Sequence, residues 1–251
     1  MKNIINLYKH IGLTPLQALE KFKDKNKEYQ GKKMSYPGRL DPLAEGVLLV
    51  LVGDENKNMQ KYMKLDKEYE AELLLGFETD SHDILGLQKK SEGKEIDLRL
   101  LKRKIKSFKG DYDMEVPVYS SIRVKGKALF NLARRGELQD IEIPRFKVKI
   151  KDIFIDYIYK ITGKKLLKII LNKINLVKGD FRQEEIKLRW RLLLEESEEK
   201  FKVVKLFVRS SSGTYIRALA RDIGKDFNGG ILLSLKRTKV GKYEIRDSVR
   251  V

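Results

Sequence analysis

Tyr69, Ala71, Leu73 and Leu75 alternate with Glu70 and Glu72, and this two-residue period predicts a half-buried strand with Tyr69 on its inner face. Phe146, Val148 and Ile150 alternate in the same way with three lysines, which predicts a strand with one basic face. Residues 4–8 and 201–208 read as further strands. Residues 47–52, VLLVLV, are apolar without interruption and end at Gly53, the pattern of a strand covered on both faces. Helical spacing begins after Thr14. There Pro15 suits the first helical position and Gln17 completes a capping box, with Leu16, Ala18, Leu19 and Phe22 as the apolar side. Further helices are predicted at 56–65 (Met59, Tyr62, Met63), at 96–109 (Leu98, Leu101, Ile105, Phe108) and at 128–135, stopped by Gly136. The stretch 210–224, SSSGTYIRALARDIG, turns into a helix with Ile216, Leu219, Ala220 and Ile223 inward, Arg217 one residue from that face and Arg221 a turn further on. After Gly229-Gly230, residues 231–235 form an apolar run, and 237–241 lead into a final strand.

Residues 156–200 differ. KKLLKIILNKINL and EEIKLRWRLLLEE flank a Lys-Gly-Asp turn, and each fits a helix or a long strand. This part reads as an elaborated hairpin or an insertion projecting from the main body. No internal repeat or low-complexity linker divides the chain, so residues 1–251 are expected to form one domain of mixed α and β structure.

Charge narrows the partners. With 54 Lys and Arg against 36 Asp and Glu, the net charge is +18, which points to a polyanion, nucleic acid first. An anionic membrane surface would suit the charge, but no stretch approaches 18 unbroken apolar residues and the first residues lack a signal-peptide core. Cysteine is absent and His10 and His82 are the two histidines, which argues against disulfides, thiolate chemistry and structural zinc. A cytoplasmic protein is expected.

Candidate chemistry centres on residues 37–46, PGRLDPLAEG. Two prolines, two glycines, an arginine and two carboxylates make a shaped loop directly before the apolar strand, a setting in which a rigid scaffold can hold a reactive group still. On its own, Asp41 before Pro42 reads as a turn residue. The carboxylates of 76–86 could bind metal, though a hydrogen-bonded turn is the commoner meaning of such a loop.

Five segments taken together resemble the bacterial tRNA pseudouridine-55 synthase family, the TruB type, in the family's order. GRLDPLAEGVLLVLVG resembles the motif of the catalytic aspartate, on Asp41. KEYEAELLLGFETDSHDILG resembles the motif of the active-site tyrosine, on Tyr69. VPVYSSIRVKGKALFNLARRGE is similar to a segment with Pro, Tyr-Ser, Lys, Gly and an Ala-Arg-x-Gly ending. SSSGTYIRALARDIG resembles the segment that supplies the aspartate's basic partner, on Arg217, and LKRTKVGKY the end of the catalytic domain, with an active-site leucine on Leu235. The resemblance implies a pseudouridine synthase fold, an α+β class with a mixed, mainly antiparallel sheet and flanking helices. It implies Asp41, Tyr69 and Arg217 as catalytic residues, and Tyr36, Arg39, Leu40, Tyr119, Arg134 and Leu235 as substrate-binding ones. It also implies no metal or cofactor, a flipped uridine of the tRNA TΨC stem-loop as substrate, and a monomer with no obligatory protein partner. The alternatives are an RNA chaperone that holds tRNA without catalysis and a guide-dependent synthase.

The chain departs from the family in places. Tyr36 stands where the family usually has histidine, Pro37 and Arg39 replace threonines, and KHIGLTP replaces the usual Lys-Pro-x-Gly-x-Thr-Ser. The connection 156–200 is longer than usual, and the chain ends before a C-terminal PUA domain. RNA docking is therefore expected to use the basic surplus, above all Lys164, Lys165, Lys168 and Lys173.

Overall fold

The computed structural model describes residues 2–90 and 96–250. The chain opens with β1 (Ile4–Lys9) and α1 (Pro15–Lys25). The capping box is formed: the Gln17 N–H donates to Thr14 Oγ1 at 3.2 Å and the Thr14 N–H to Gln17 Oε1 at 2.8 Å. Ala18, Leu19 and Phe22 are buried against Ile5, Leu7 and Leu48, whereas Leu16 is exposed, about 200° round the helix from Ala18. Then come β2 (Met34–Ser35), β3 (Ala44–Val52), a 3₁₀ turn where a longer helix was expected, and the short α2 (Met59–Met63). Next are β4 (Lys67–Leu75), the hairpin β5 (Phe77–Thr79) and β6 (Gln88–Lys90), α3 (Leu98–Ser107) and β7 (Gly110–Glu115). A small unit of β8 (Arg123–Val124), β9 (Lys127–Ala128) and α4 (Leu129–Arg135) ends at Gly136 in the left-handed region.

The second half holds β10 (Arg145–Thr162), α5 (Gly163–Leu176), α6 (Gln183–Leu194), β11 (Lys200–Ser210) and α7 (Ile216–Gly224). It ends with β12 (Gly230–Val240), β13 (Tyr243–Glu244) and β14 (Val249–Arg250). One ten-stranded sheet runs β14-β1-β3-β12-β4-β11-β10-β7, with β13 beside β12 and β2 beside β3. Most pairs are antiparallel; β1 with β14 and β3 with β12 are parallel. The expected α+β class, with a mainly antiparallel sheet and flanking helices, is the one observed. The two pieces read at 231–235 and 237–241 are one strand, β12, irregular against β4 between Leu232 and Ser234 and between Arg237 and Lys239.

Strand alternation divides the core. Tyr69, Ala71, Leu73 and Leu75 of β4 join Val204, Leu206 and Val208 of β11 beneath α7 and α3. From the opposite face, Leu74, Val203, Ile231 and Leu233 meet Leu166, Ile170 and Ile174 of α5 and Ile186, Trp190 and Leu194 of α6. Residues 163–194 therefore do not form the projecting hairpin or insertion that the sequence leads one to expect. They are a two-helix layer covering the second face of the sheet. Trp190 is fully buried there and donates its indole N–H to Ile84 O at 3.1 Å. No helix among the described residues is long and apolar enough to cross a membrane.

Candidate active site

Asp41 sits in the loop that enters β3, and two arginines from distant parts of the chain fix that loop. Arg217 lies in the first turn of α7 and is 4% exposed. Its Nε donates to Asp41 Oδ2 at 2.7 Å and its Nη2 to Asp41 Oδ1 at 3.3 Å, a forked pair. Two further donors are spent on backbone: Nη1 to Ser81 O at 2.7 Å and Nη2 to Tyr119 O at 3.1 Å. One guanidinium thus ties together the loops carrying Asp41, Ser81 and Tyr119. Burial opposes its charge, but Asp41 and Asp83 outweigh that and raise its pKa. Asp83 Oδ2 is 3.9 Å from Nε, while Asp83 Oδ1 accepts from Ser81 Oγ and the Leu85 N–H. Burial pushes the Asp83 carboxyl up to about 6, with Arg217 opposing the shift. The side chain of Asp41 keeps 39% of its surface in solvent, so it is held from behind and open in front.

Arg237 holds the other side of the loop. On β12 it is paired with Tyr69 of β4 and Gly46 of β3 in the sheet register. Its guanidinium donates to Val47 O at 2.8 Å, Arg39 O at 3.0 Å and Gly38 O at 3.2 Å, all from a residue 3% exposed. Gly46 is required here: at φ +108° a Cβ would lie 2.2 Å from Arg237 O. Burial raises the pKa of the Tyr69 hydroxyl, and the charge of Arg237 opposes that rise.

Lys9 supports the loop from below. It is fully buried, and its Nζ donates to Leu13 O at 2.6 Å, His10 O at 3.2 Å and Pro42 O at 3.4 Å. Burial pushes its pKa from 10.5 down to about 7; Asp41 and Glu45 oppose the shift and Arg237 adds to it. Between pH 7 and 10.5 the unfolded chain therefore binds more protons at this site than the folded one, so this linkage makes stability rise with pH. A Lys9→Met protein should lose that rise, worth at most on the order of 1.4 kcal/mol per pH unit. Urea denaturation of both proteins at pH 7, 8 and 9 checks it; parallel curves would show that Lys9 stays charged when buried.

The other expected site residues are dispersed. Leu40 is buried and Arg39 exposed on the Asp41 loop, while Tyr36 is half-buried against the cluster containing Ile5 and Leu7. Leu235, two residues before Arg237 on the same strand face, packs half-buried on the Tyr69 cluster. Tyr119 lends Arg217 its carbonyl, but its hydroxyl turns to Asp80 Oδ2 at 3.1 Å. Arg134 reaches the α5–α6 connection, donating to Asp180 O at 3.1 Å. The carboxylates of 78–83 diverge, Asp83 toward Arg217 and Asp80 toward Tyr119 and Arg182, and among the described residues no His, Asp and Glu cluster is arranged to hold a metal. Arg237 and Lys9 were not singled out from sequence. A signal existed in both cases, since Lys9 continues the inward alternation of Ile5 and Leu7, and Arg237 that of Leu235.

Residues 25–162 match the family model described as TruB family pseudouridylate synthase, N-terminal domain. The chain is 32% identical to tRNA pseudouridine synthase B of Clostridium tetani over 100% of its own length and 72% of that protein. It is 30% identical to the enzyme of the same name from Endomicrobium trichonymphae, over 98% of this chain and 88% of that one. Among solved structures it resembles a chain of a Cbf5-Nop10-Gar1 complex, with a TM-score of 0.59 at 18% identity, covering 99% of this chain and 52% of that one. A chain of an H/ACA RNP bound to a substrate RNA containing 2'-deoxyuridine gives a TM-score of 0.54 at 18% identity, covering 98% and 50%. The likeness to these structures is one of fold, and the chain spans about half their length.

Proposed function

The chain belongs to the TruB family of pseudouridylate synthases, and from that premise we propose that it isomerises a uridine in the TΨC loop of tRNA, at position 55, with Asp41 as nucleophile. The observation that carries this reading is the Asp41–Arg217 pair: a carboxylate gripped by a buried fork on one side and open to solvent on the other. The curated relatives named as tRNA pseudouridine synthases support tRNA as the substrate.

In this reading the target nucleotide leaves its stack to reach the carboxylate. An Asp41 oxygen bonds to C1′ as the N1–C1′ bond breaks, and the freed uracil turns to present C5. C5 then attacks C1′, the carboxylate leaves, and the proton lost from C5 is balanced by one gained at N1. No atom is added or removed. Tyr69 packs against the base, and its neutral hydroxyl relays the C5 proton by releasing its own proton as it takes that one up. Leu235 forms part of an apolar wall that excludes water from the bond being exchanged. Arg39, Leu40, Tyr36, Tyr119 and Arg134 line the approach of the RNA. We take the chain to act as a monomer without an obligatory protein partner.

The test is incubation with unmodified tRNA followed by pseudouridine mapping at single-nucleotide resolution. One new pseudouridine at position 55 is expected. Modification elsewhere would overturn the position, and binding without any modification would favour a chaperone that holds tRNA.

A further inference from the structure

The α5–α6 layer ends beside the catalytic loops. The Lys178 N–H donates to Gly12 O at 3.0 Å, and the Gly12 N–H donates to Pro42 O at 2.8 Å, so two hydrogen bonds link this connection to the residue after Asp41. The contact is close, since a Cβ on Gly12 would lie 2.1 Å from Leu176 O. At the other end of the connection, Arg182 has a backbone φ of +61° and donates to Asp80 Oδ2 at 2.9 Å. Its guanidinium also lies over the Tyr119 ring, 5.0 Å from the centroid. Asp80 precedes Ser81, and the carbonyls of Ser81 and Tyr119 are the two that hold Arg217. Arg134 approaches from a third side, bound to Asp180 O and 5.6 Å from the Phe181 ring centroid. The connection therefore touches Gly12, which is bonded to Pro42, and the Asp80 and Tyr119 side chains of the two loops whose carbonyls hold Arg217.

Its charge pattern differs from that of the helix before it. Lys173, expected to face RNA, is half-buried and donates to Leu233 O at 3.0 Å. Lys164 pairs with Glu198 at the opposite end of α5, about 20 Å along the axis from Lys178 at 1.5 Å per residue. At the connection, Lys178 is exposed, and the Arg182–Asp80 pair is 31% exposed on both sides, within reach of a competing anion. Arg182 is held by one carboxylate and one ring. A phosphate could replace that carboxylate without breaking any contact of Arg217.

We propose that the connection from Lys178 to Arg182 is a phosphate-gripping rim of the substrate cleft, in which Arg182 exchanges Asp80 for the RNA backbone next to the target nucleotide and Lys178 contacts a neighbouring phosphate. This rests on the proposed function and adds a contact surface from the 163–194 layer. A purely structural Arg182 would pin Asp80 and nothing else. The two roles predict opposite behaviour when Asp80 is neutralised.

The experiment measures the affinity of the full chain for unmodified tRNA across a salt series, for the unaltered protein and for Arg182→Ala, Arg182→Gln, Lys178→Ala and Asp80→Asn. Melting of each protein is followed in parallel. Each lost phosphate contact should reduce the slope of log K against log salt by about 0.7–0.9. Arg182→Ala and Arg182→Gln should each lower the slope by that amount and raise Kd roughly five- to tenfold, as should Lys178→Ala. Asp80→Asn should leave Kd unchanged or lower it, because it removes the competing anion and keeps the cation. If Asp80→Asn weakens binding as much as Arg182→Ala, with the salt slope unmoved in both, Arg182 is a structural pin and the proposal fails. It fails equally if neither Arg182 variant changes Kd or slope. Pseudouridine formation by the unaltered protein is scored on the same tRNA; its absence would overturn the proposed function, whatever the salt series gives.

Discussion

An Asp41→Asn protein is expected to form no detectable pseudouridine while binding unmodified tRNA within several-fold of the unaltered chain. The amide is nearly isosteric but a poor nucleophile, so the C1′ bond to the protein cannot form. Binding survives because one side chain contributes few of the phosphate contacts that dominate affinity. The fork also suffers, since Asn offers Arg217 one acceptor oxygen where Asp offers two. The buried guanidinium then keeps only Asp83, 3.9 Å away, as a nearby carboxylate. A fully buried pair broken in this way costs about 3–5 kcal/mol. Because Asp41 is 39% exposed, solvent screens much of that, and about 1–2 kcal/mol is the expected loss. Single-turnover assays, filter binding and urea denaturation read the three quantities separately. Turnover near that of the unaltered chain would remove Asp41 from the chemistry.

Arg217→Lys should be nearly as damaging, for a different reason. Lysine retains a positive charge but has no planar fork. Its three donors radiate from one nitrogen, so it cannot reproduce the forked pair to Asp41 together with the bonds to Ser81 O and Tyr119 O, which Arg217 makes from separate nitrogens at 2.7 and 3.1 Å. Buried carbonyls left without donors cost about 1–3 kcal/mol each. The expected result is a fall in stability of about 2–4 kcal/mol and a fall in the single-turnover rate of at least about 100-fold, from a carboxylate no longer held in line. A stable and fully active lysine variant would show that charge alone suffices and that the three-loop tie is incidental.

Much of the candidate site could be read from the chain because its key residues sit on regular elements. Alternation placed Tyr69 inward, and helical phase placed Arg217 beside the inner face of α7, where it is 4% exposed. The contact between Asp41 and Arg217, 176 residues apart, came from resemblance and not from pattern, since no local period encodes which loop a helix faces. Lys9 and Arg237 were passed over for a chemical reason. Cations are rarely buried unless paired, and these two are satisfied mainly by backbone carbonyls, so the sequence shows their inward position through alternation but not the partners that make it tolerable. The packing of the 163–194 layer is not legible in the sequence, because an apolar stripe shows that a helix has a buried face without showing what buries it. Residues 156–162 continue β10 as a strand and residues 163–176 are helical, so the ambiguous stretch contained both forms.

The register of β3 has a consequence for how the protein is made. β3 is complete at Val52, but one of its two long neighbours is β12, which ends at Val240. At 5–20 residues per second, a ribosome needs roughly 10–40 s to supply the intervening 188 residues. For most of that interval Ala44–Gly46 of β3 have no partner on that side, and Arg217 and Arg237 are made only toward its end. The catalytic loop can take its shape only after nearly the whole sheet exists. Such contacts between distant parts of a chain slow folding and expose strand edges to aggregation. Assembly of the nascent chain is thus expected to be late and cooperative, with the reaction centre among the last parts to become ordered.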